Sequence, residues 1–215
     1  MIISITSLKG GVGKSTITQN LAVTFAHIGH KVCIVDADTN QSSMKWAGLR
    51  EENMPNIMVS GQQDDVALLK NVKLLNQDYD IVLIDGTPSL SKTTSKILLL
   101  ADLVIIPILP SGLDFWATEL FLERFEEAKA LREQTIPAYF LLNQHDERYT
   151  LGREAREALS AFEGIGVFDN FLKSRTAYRK AVIEGMGVYE FTDPKAKEEM
   201  VNLTNEIQGV LGELS

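Results

Sequence analysis

The sequence is poor in the residues that form disulfides and transition-metal sites. It has one cysteine, Cys33, and three histidines, which are His27, His30 and His145. A single cysteine cannot form an internal disulfide, and no group of cysteines and histidines has zinc-finger spacing. One thiolate is also too few for an iron–sulfur cluster. We therefore expect a protein of a reducing compartment that has no structural metal.

A surplus of positive charge and long apolar runs are missing as well. Lys and Arg number 21 against 29 Asp and Glu, and the resulting net charge of −8 argues against a surface that is basic throughout. No apolar run approaches the about 18 residues of a membrane-spanning helix. The chain starts Met1-Ile-Ile-Ser, without the basic stretch of a secretory signal. The composition predicts a soluble, cytoplasmic protein and leaves room for a local basic patch.

Short apolar segments alternate along the chain with segments of helical periodicity. The predicted strands are 2–7, 31–38, 57–59, 80–85, 103–109 and 136–143, and the predicted helices are 17–28, 65–75, 92–100, 115–132, 153–162 and 194–211. Such alternation predicts an α/β fold with a mainly parallel, twisted sheet and helices on both faces. No repeat or linker divides the chain, so a single domain over 1–215 is expected. Ligands of such folds bind at the carboxyl ends of the strands.

A glycine-rich segment, KGGVGKST at 9–16, lies between the first strand and the first helix. Glycines there let the backbone N–H groups point inward around a polyphosphate at the start of a helix. Lys14 would reach the β and γ phosphates, Ser15 would place its hydroxyl on Mg²⁺, and Thr16 would bond the α-phosphate. The predicted nucleotide-binding residues of the loop are Gly10, Gly11, Val12, Gly13, Lys14, Ser15 and Thr16. The alternative, a glycine-rich turn with an incidental Lys-Ser pair, fits the strand-loop-helix setting poorly.

Carboxylates follow two of the predicted strands. Asp36 and Asp38 come at the end of 31–38, and Asp85 follows four apolar residues, 81–84. In a parallel sheet these strand ends flank the phosphate loop. Asp85 is the Walker B candidate for Mg²⁺, an ion that prefers oxygen ligands and retains water. A second carboxylate can orient the attacking water, whereas one of Asp36 and Asp38 could instead cap the next helix.

The loop departs from the plain phosphate-binding pattern, because Leu8 replaces its first glycine and Lys9 adds a second lysine. With these features the sequence resembles the deviant Walker ATPases of the ParA/MinD family, whose loop reads K-G-G-x-G-K-[ST]. The resemblance implies that Lys9 reaches the phosphates of the partner in a nucleotide-sandwiched dimer. Lys9, Lys14 and Asp38 are then the predicted catalytic residues. A solvated loop lysine is the alternative for Lys9.

The acidic segment matches the family's D-x-D-P-Q motif only loosely, because Thr39 and Asn40 replace its proline and glutamine. By resemblance, Asp38 positions the hydrolytic water and Asp36 supports the metal site. The predicted metal residues are thus Ser15, Asp36 and Asp85.

The segment NQHD, 143–146, follows the sixth predicted strand, where related proteins read the purine. A guanine reader would have N-K-x-D, and Gln144 replaces that lysine. The resemblance therefore implies ATP, with Asn143 bonding the adenine edge. Asp146 occupies the guanine-reading position and keeps GTP open as an alternative.

The stretch FLKSRTAYRKAVI, 171–183, has four cations and no acidic residue. The predicted DNA-binding residues are Lys173, Arg175, Arg179 and Lys180, which could hold DNA phosphates without reading bases. ParA-type proteins bind DNA non-specifically once they have dimerised, although a solvated run of charge is the alternative. The last residues, 199–215, have an apolar stripe with three Glu and no Lys or Arg. Anionic lipid would repel such a helix, so core packing is predicted for it rather than membrane binding.

The resemblance implies a short ParA-type ATPase that uses ATP and Mg²⁺, dimerises and binds DNA. It would be cytoplasmic and nucleoid-associated, and a separate adaptor protein would stimulate its hydrolysis to segregate DNA or position a cellular cargo. Three alternatives stay open. They are a MinD-like membrane-associated ATPase, a metabolic ligase of the dethiobiotin-synthetase type, and a DNA-coating protein that binds ATP but scarcely hydrolyses it.

Overall fold

A computed structural model describes residues 1–62, 64–89, 92–110, 115–132, 135–145 and 151–213. The strands in these ranges are β1 (Ile2–Ile5), β2 (Val32–Asp36), β3 (Met58–Gly61), β4 (Ile81–Asp85), β5 (Leu103–Ile108), β6 (Ala138–Leu142) and β7 (Gly166–Val167). They form one sheet in the order β3-β2-β4-β1-β5-β6-β7, and every pair is parallel. The predicted parallel sheet is confirmed.

Helices connect the strands. Their bounds are α1 (Lys14–His27), α2 (Ser42–Ala47), α3 (Asp65–Asp78), α4 (Lys92–Leu100), α5 (Phe115–Leu131), α6 (Leu151–Leu159), α7 (Thr176–Ile183) and α8 (Pro194–Glu213). On one face of the sheet, Ile3 and Ile5 of β1 join a core with Phe25 of α1 and Leu203 of α8. On the other face, α3 and α4 cover β2 and β4, and α5 covers β5 and β6. Helices on both faces are therefore also confirmed.

The helix α2 was not among the predicted elements. It has six residues, too few to be stable from helix propensity alone. Its first turn is held by a carboxylate from the preceding strand, because the backbone N–H groups of Ser43 and Met44 donate to Asp36 Oδ2 at 2.8 and 3.0 Å. A helix of six residues is also too short for helical periodicity to predict it.

The apolar stripe of the last helix lies in the core, as predicted. Leu203, Ile207 and Leu211 of α8 are buried in the same cluster as the side chains of α1. Leu214, which belongs to the predicted stripe, lies outside the described residues. Within the described ranges, no helix has the length and apolar character to cross a membrane.

Candidate nucleotide and magnesium site

The phosphate loop bends through two left-handed glycines. Gly11 has φ 74° and Gly13 has φ 94°, a backbone region that is costly for residues with a side chain. A Cβ at Gly13 would also lie 2.3 Å from Nδ2 of Asn143. The loop therefore requires glycine at position 13 for both conformation and space. This tight bend delivers the chain from β1 into α1, which begins at Lys14.

Lys14 folds back over the loop. Its side-chain Nζ donates to the backbone oxygen of Lys9 at 2.9 Å, and the residue is 7% exposed. Burial lowers the pKa of Lys14, while the carboxylates of Asp85 and Asp38 raise it. The ammonium group is thus held inside the curve of the loop, close to the carboxylates of Asp85 and Asp38. A metal ion bound there could lie between these carboxylates and a phosphate.

The ends of three neighbouring strands bring the loop and the carboxylates together. Asp85 is the register partner of Ile5 on one side and of Asp36 on the other. The strands approach closely here, since a Cβ at Gly86 would lie 2.8 Å from side-chain atoms of Thr6. The structure therefore places Asp36 and Asp85 at the same sheet edge as the phosphate loop, which is where parallel sheets bind ligands.

Asp36 uses its carboxylate to organise the backbone after β2. In addition to the two bonds to α2, its Oδ1 accepts the N–H of Asp38 at 3.2 Å. Burial raises its pKa, and these backbone hydrogen bonds from Met44, Asp38 and Ser43 lower it. The structure thus shows Asp36 in the helix-capping contact that was the alternative for one of the two aspartates, and support of the metal by Asp36 stays a prediction.

Asp38 closes the turn that contains the two departures from the family motif. Its Oδ1 accepts the N–H of Asn40 at 2.9 Å, and its backbone oxygen accepts the N–H of Gln41 at 3.1 Å. Gln41 then adopts the left-handed region with φ 51°. Thr39 and Asn40 therefore form a compact turn. Asp38 itself is 8% exposed, and the turn uses only Oδ1 of its carboxylate.

Asp85 is fully buried and only half satisfied. Its Oδ2 accepts the Ser43 hydroxyl at 2.8 Å, whereas Oδ1 has no hydrogen-bond partner among the residues that the structure describes. Burial, together with the negative charges of Asp36 and Asp38, raises the pKa of Asp85 to about 7, although the hydroxyls of Ser43 and the neighbouring Ser15 act to lower it. A buried carboxylate with one oxygen unbonded has room for a further hydrogen-bond donor or a cation at Oδ1.

The residues present fit a magnesium ion. The orphaned Oδ1 of Asp85 and the nearby hydroxyl of Ser15 are oxygen donors of the kind that Mg²⁺ prefers. Across the described ranges, no three His, Cys, Asp or Glu side chains converge as a metal cage. Mg²⁺ needs none, because it keeps several waters and takes phosphate oxygens as further ligands.

The raised pKa of Asp85 predicts how pH affects the stability of the nucleotide-free protein. Because its pKa is higher in the folded state than the about 3.9 of an unfolded Asp, its contribution is complete below about pH 4 and is lost as the pH rises to about 7. In EDTA, the free energy of unfolding should fall with a slope of about 1 kcal/mol per pH unit from this group. Urea denaturation of the wild type and of Asp85→Asn measures the difference. Parallel pH curves for the two proteins would contradict the assignment.

Asn143 bonds to the phosphate loop. Its Nδ2 donates to the backbone oxygen of Val12 at 2.7 Å, and its Oδ1 accepts the N–H of Gln144 at 2.9 Å. Both ends of the amide are therefore engaged, and its contact with an adenine edge stays a prediction. Asp146 lies outside the described residues.

A groove of about 530 Å³ opens beside the loop. It is lined by Gly13, Thr16, Ile17, Asn143, Gln144, Leu172, Lys173, Ser174, Arg175, Tyr178, Arg179 and Met200. The groove is adjacent to the first turn of α1 and has both apolar and polar walls, as a purine base requires. Three of the four predicted DNA-binding residues thus line the groove next to the phosphate loop.

The basic stretch contains an internal ion pair that its sequence does not show. Arg175 donates from Nε and a terminal nitrogen to Oε1 of Glu199 at 2.9 and 2.6 Å, and the backbone N–H of Lys173 bonds to the same carboxylate. Glu199 is on α8, so it is distant in sequence. Arg179 and Lys180 of α7 are exposed.

A second set of contacts joins α2 and the residues directly after it to the loop after α7. The indole nitrogen of Trp46 donates to the backbone oxygen of Met186 at 3.1 Å. Arg50 binds the backbone oxygen of Gly185 at 2.9 Å and both carboxylate oxygens of Glu190 at 2.8 and 3.0 Å. The side chains of this ion pair are each 7% exposed. The element that follows Asp38 is therefore fixed to the segment that follows the basic helix.

Comparisons with known proteins agree with this geometry. Residues 3–188 match the model of the CobQ/CobB/MinD/ParA nucleotide binding domain. Maintenance of carboxysome distribution protein A of Halothiobacillus neapolitanus is 30% identical over 95% of both chains. A Cyanothece McdA variant in complex with ATP superimposes with a TM-score of 0.77 at 16% identity, covering 96% of each chain. The cell division ATPase MinD of Pyrococcus furiosus gives 0.74 at 22% identity, covering 97% of this chain and 98% of its own.

Proposed function

Because the chain belongs to the CobQ/CobB/MinD/ParA family of nucleotide-binding domains, we propose that it is an ATPase that uses ATP and Mg²⁺ to position a cellular cargo. The single observation that carries the proposal is the phosphate loop that lies at one sheet edge with Lys14 and the half-satisfied Asp85. The ATP complex of a structurally similar McdA supports adenine as the base. A single ATPase domain over 1–215 is part of the proposal.

In this proposal the loop binds the triphosphate through its backbone N–H groups, and Lys14 leaves the Lys9 oxygen to bond the β and γ phosphates. Ser15 and Asp85 would hold Mg²⁺, which would supply positive charge against the phosphates. Asp38 orients the attacking water through Oδ2, the carboxylate oxygen that does not bond to the turn. Little covalent chemistry is asked of the protein, so positioning and charge stabilisation account for catalysis.

Dimerisation would complete the site. Lys9 is at the start of the loop and is partly exposed, and by the family resemblance its side chain would reach the phosphates of a second protomer. A separate adaptor protein would then stimulate hydrolysis and reset the dimer. The cargo-positioning role rests on similarity to a protein named for carboxysome distribution, and DNA segregation is the other form of the same proposal.

The dimer would bind DNA without sequence specificity and act while bound to it. Arg179 and Lys180 are exposed on α7, whereas Glu199 partly neutralises Arg175. We therefore assign the phosphate contacts chiefly to Arg179 and Lys180, with Lys173 beside them. The proposed DNA surface is therefore smaller than the set of four cationic residues that the sequence predicted.

Charge reversal of the exposed helix tests this surface. Arg179→Glu should weaken binding of the ATP-bound protein to any duplex at least about tenfold, because a phosphate contact becomes a repulsion. Arg179→Gln should reduce the slope of log K against log salt by about 0.9, the value for one contact. Gel shifts and a salt titration measure both effects. Lys73→Glu, on α3 and the opposite face, is the control, and an unchanged gel shift for Arg179→Glu would refute the assignment.

A further inference from the structure

The buried carboxylate of Asp85 is the end of a chain of hydrogen bonds that no part of the proposed chemistry has used. The Ser43 hydroxyl donates to Asp85 Oδ2 at 2.8 Å, and the side-chain Nε2 of Gln19 donates to the Ser43 hydroxyl oxygen at 3.2 Å. Ser43 and Asp85 are fully buried, and Gln19 is 1% exposed. Three polar side chains from α1, α2 and β4 therefore meet behind the phosphate loop.

Burying these groups is costly unless the contacts do specific work. A buried amide and hydroxyl lose their hydration on folding, and here Oε1 of Gln19 has no hydrogen-bond partner in the described part of the chain. Apolar residues of the same size would pack at positions 19 and 43 without that penalty. The arrangement is directional, because the Gln19 amide takes one lone pair of the hydroxyl oxygen and the hydroxyl proton points to Asp85.

The consequence is that the two oxygens of Asp85 differ. Oδ2 is fixed by Ser43, and Oδ1 is the oxygen without a partner. A hydrogen bond to one oxygen fixes the rotation of a carboxylate about its last torsion, which is otherwise broad. Outer hydrogen bonds of this kind orient the groups that bind metals.

We propose that Ser43, held by Gln19, is a positioning residue that fixes Oδ2 of Asp85 so that Oδ1 faces the magnesium site. The inference rests on the proposed function, because it requires that Asp85 serves magnesium. It adds two residues to the site, neither of which touches nucleotide or metal.

The position of Ser43 extends the consequence to α2. Its backbone N–H donates to Asp36 while its side chain donates to Asp85. One residue therefore joins both carboxylates of the sheet edge to the start of the helix that follows Asp38. Fixing Asp85 through Ser43 also fixes the origin of α2 relative to the metal site.

The test separates magnesium-dependent from magnesium-independent nucleotide binding. Fluorescent methylanthraniloyl-ATP is titrated with each variant in EDTA and then, at fixed nucleotide, with Mg²⁺. Ser43→Ala should raise the Mg²⁺ concentration for half-maximal signal about tenfold, in the range found for outer-sphere residues, and should leave the EDTA affinity unchanged. Electron paramagnetic resonance of Mn²⁺ bound with ATP should show the same loss without any turnover. Ser42→Ala, an exposed neighbour, should behave as the wild type.

Several results would overturn the inference. A Mg²⁺ half-saturation within twofold of the wild type would remove the role of Ser43, and equal losses in EDTA and in Mg²⁺ would show a merely structural one. Should Ser43→Ala fail to fold, Gln19→Met is the second variant, because methionine keeps the shape of the side chain. Gln19→Met should raise the Mg²⁺ concentration for half-maximal signal about threefold. An unchanged Mg²⁺ concentration for this variant would also overturn the inference. In the double variant Gln19→Met should add little. A wild-type protein that binds ATP without any response to Mg²⁺ would instead overturn the proposed function itself.

Discussion

Replacing Lys14 by alanine should weaken ATP binding at least about a hundredfold while the fold persists. In the nucleotide-free protein the ammonium group of Lys14 has one backbone acceptor, the oxygen of Lys9, and is buried where its pKa is lowered, first by the burial itself. The change removes the burial cost of the ammonium group together with its attraction to Asp85 and Asp38, and because these effects oppose each other the net change in stability should be small. ATP would supply two phosphate groups to the same amine, and charge-assisted hydrogen bonds contribute about 1.5–3 kcal/mol each. Two such contacts correspond to a factor of about a hundred or more.

Equilibrium binding of fluorescent ATP, in parallel with thermal unfolding, measures both parts of this expectation. Lys73→Ala, an exposed lysine on α3, controls for the loss of one positive charge far from the loop. Competition by unlabelled ATP and GTP in the same assay identifies the base, since equal displacement by GTP would make adenine the wrong assignment. Retention of wild-type affinity by Lys14→Ala would show that the loop does not bind a polyphosphate as proposed.

The parallel sheet and the phosphate loop could be predicted because their signals are local. The segments 31–38 and 80–85 are apolar on both faces, as central strands must be, and the glycines of 9–16 stand where a strand becomes a helix. In the structure two of these three glycines, Gly11 and Gly13, have φ of 74° and 94°. Carboxylates placed directly after two strands were bound to meet, because the carboxyl ends of parallel strands share one edge.

The division of labour among the acidic residues could not be predicted from spacing. Asp36 and Asp38 are two positions apart on one segment, yet Asp36 bonds the first turn of α2 while Asp38 closes a turn on Asn40. That difference depends on α2, a six-residue helix that exists because Asp36 stabilises it. A capping residue six or more positions before its helix leaves no capping signature in the sequence.

The basic stretch shows the same limit in its charge. No acidic residue occurs within 171–183, but Glu199 on α8 reaches Arg175 and the backbone of Lys173. Charge counted along a segment omits partners that the fold brings in from elsewhere. Ser43 and Gln19 were missed for a related reason, because a serine and a glutamine have no signature until their burial beside Asp85 is known.

The contacts of α2 and of the residues after it connect the carboxylates of the sheet edge to the segment that follows the basic helix α7. The start of α2 is bonded to Asp36 and Asp85, and the indole of Trp46 and the guanidinium of Arg50 bond to the segment after α7. Displacement of the turn at Asp38 would therefore be transmitted through a short, well-packed helix rather than absorbed by a loop.

Replacing Asp38 by alanine should stop hydrolysis and leave ATP binding nearly intact. Its carboxylate accepts the Asn40 N–H on Oδ1, and the proposed role of its other oxygen is to orient water. Loss of a group that acts on the attacking water costs about a hundredfold or more in rate. Asp38→Ala should therefore release phosphate at least about a hundredfold more slowly, with ATP affinity within about threefold, since the phosphates are bound by the loop.

Asp38→Asn separates the turn from the chemistry. Its amide oxygen can still accept the Asn40 N–H, so the turn of 38–41 should persist, whereas the negative charge that attracts a proton from water is gone. Both variants should then be equally slow, which single-turnover phosphate release in the ATP-bound protein measures directly. If Asp38→Asn hydrolyses ATP like the wild type while Asp38→Ala does not, Asp38 acts by shaping the turn, and another group orients the water. If neither variant differs from the wild type and all three release phosphate equally slowly, the result favours a protein that binds ATP but scarcely hydrolyses it; equally fast release would show that Asp38 has no part in hydrolysis.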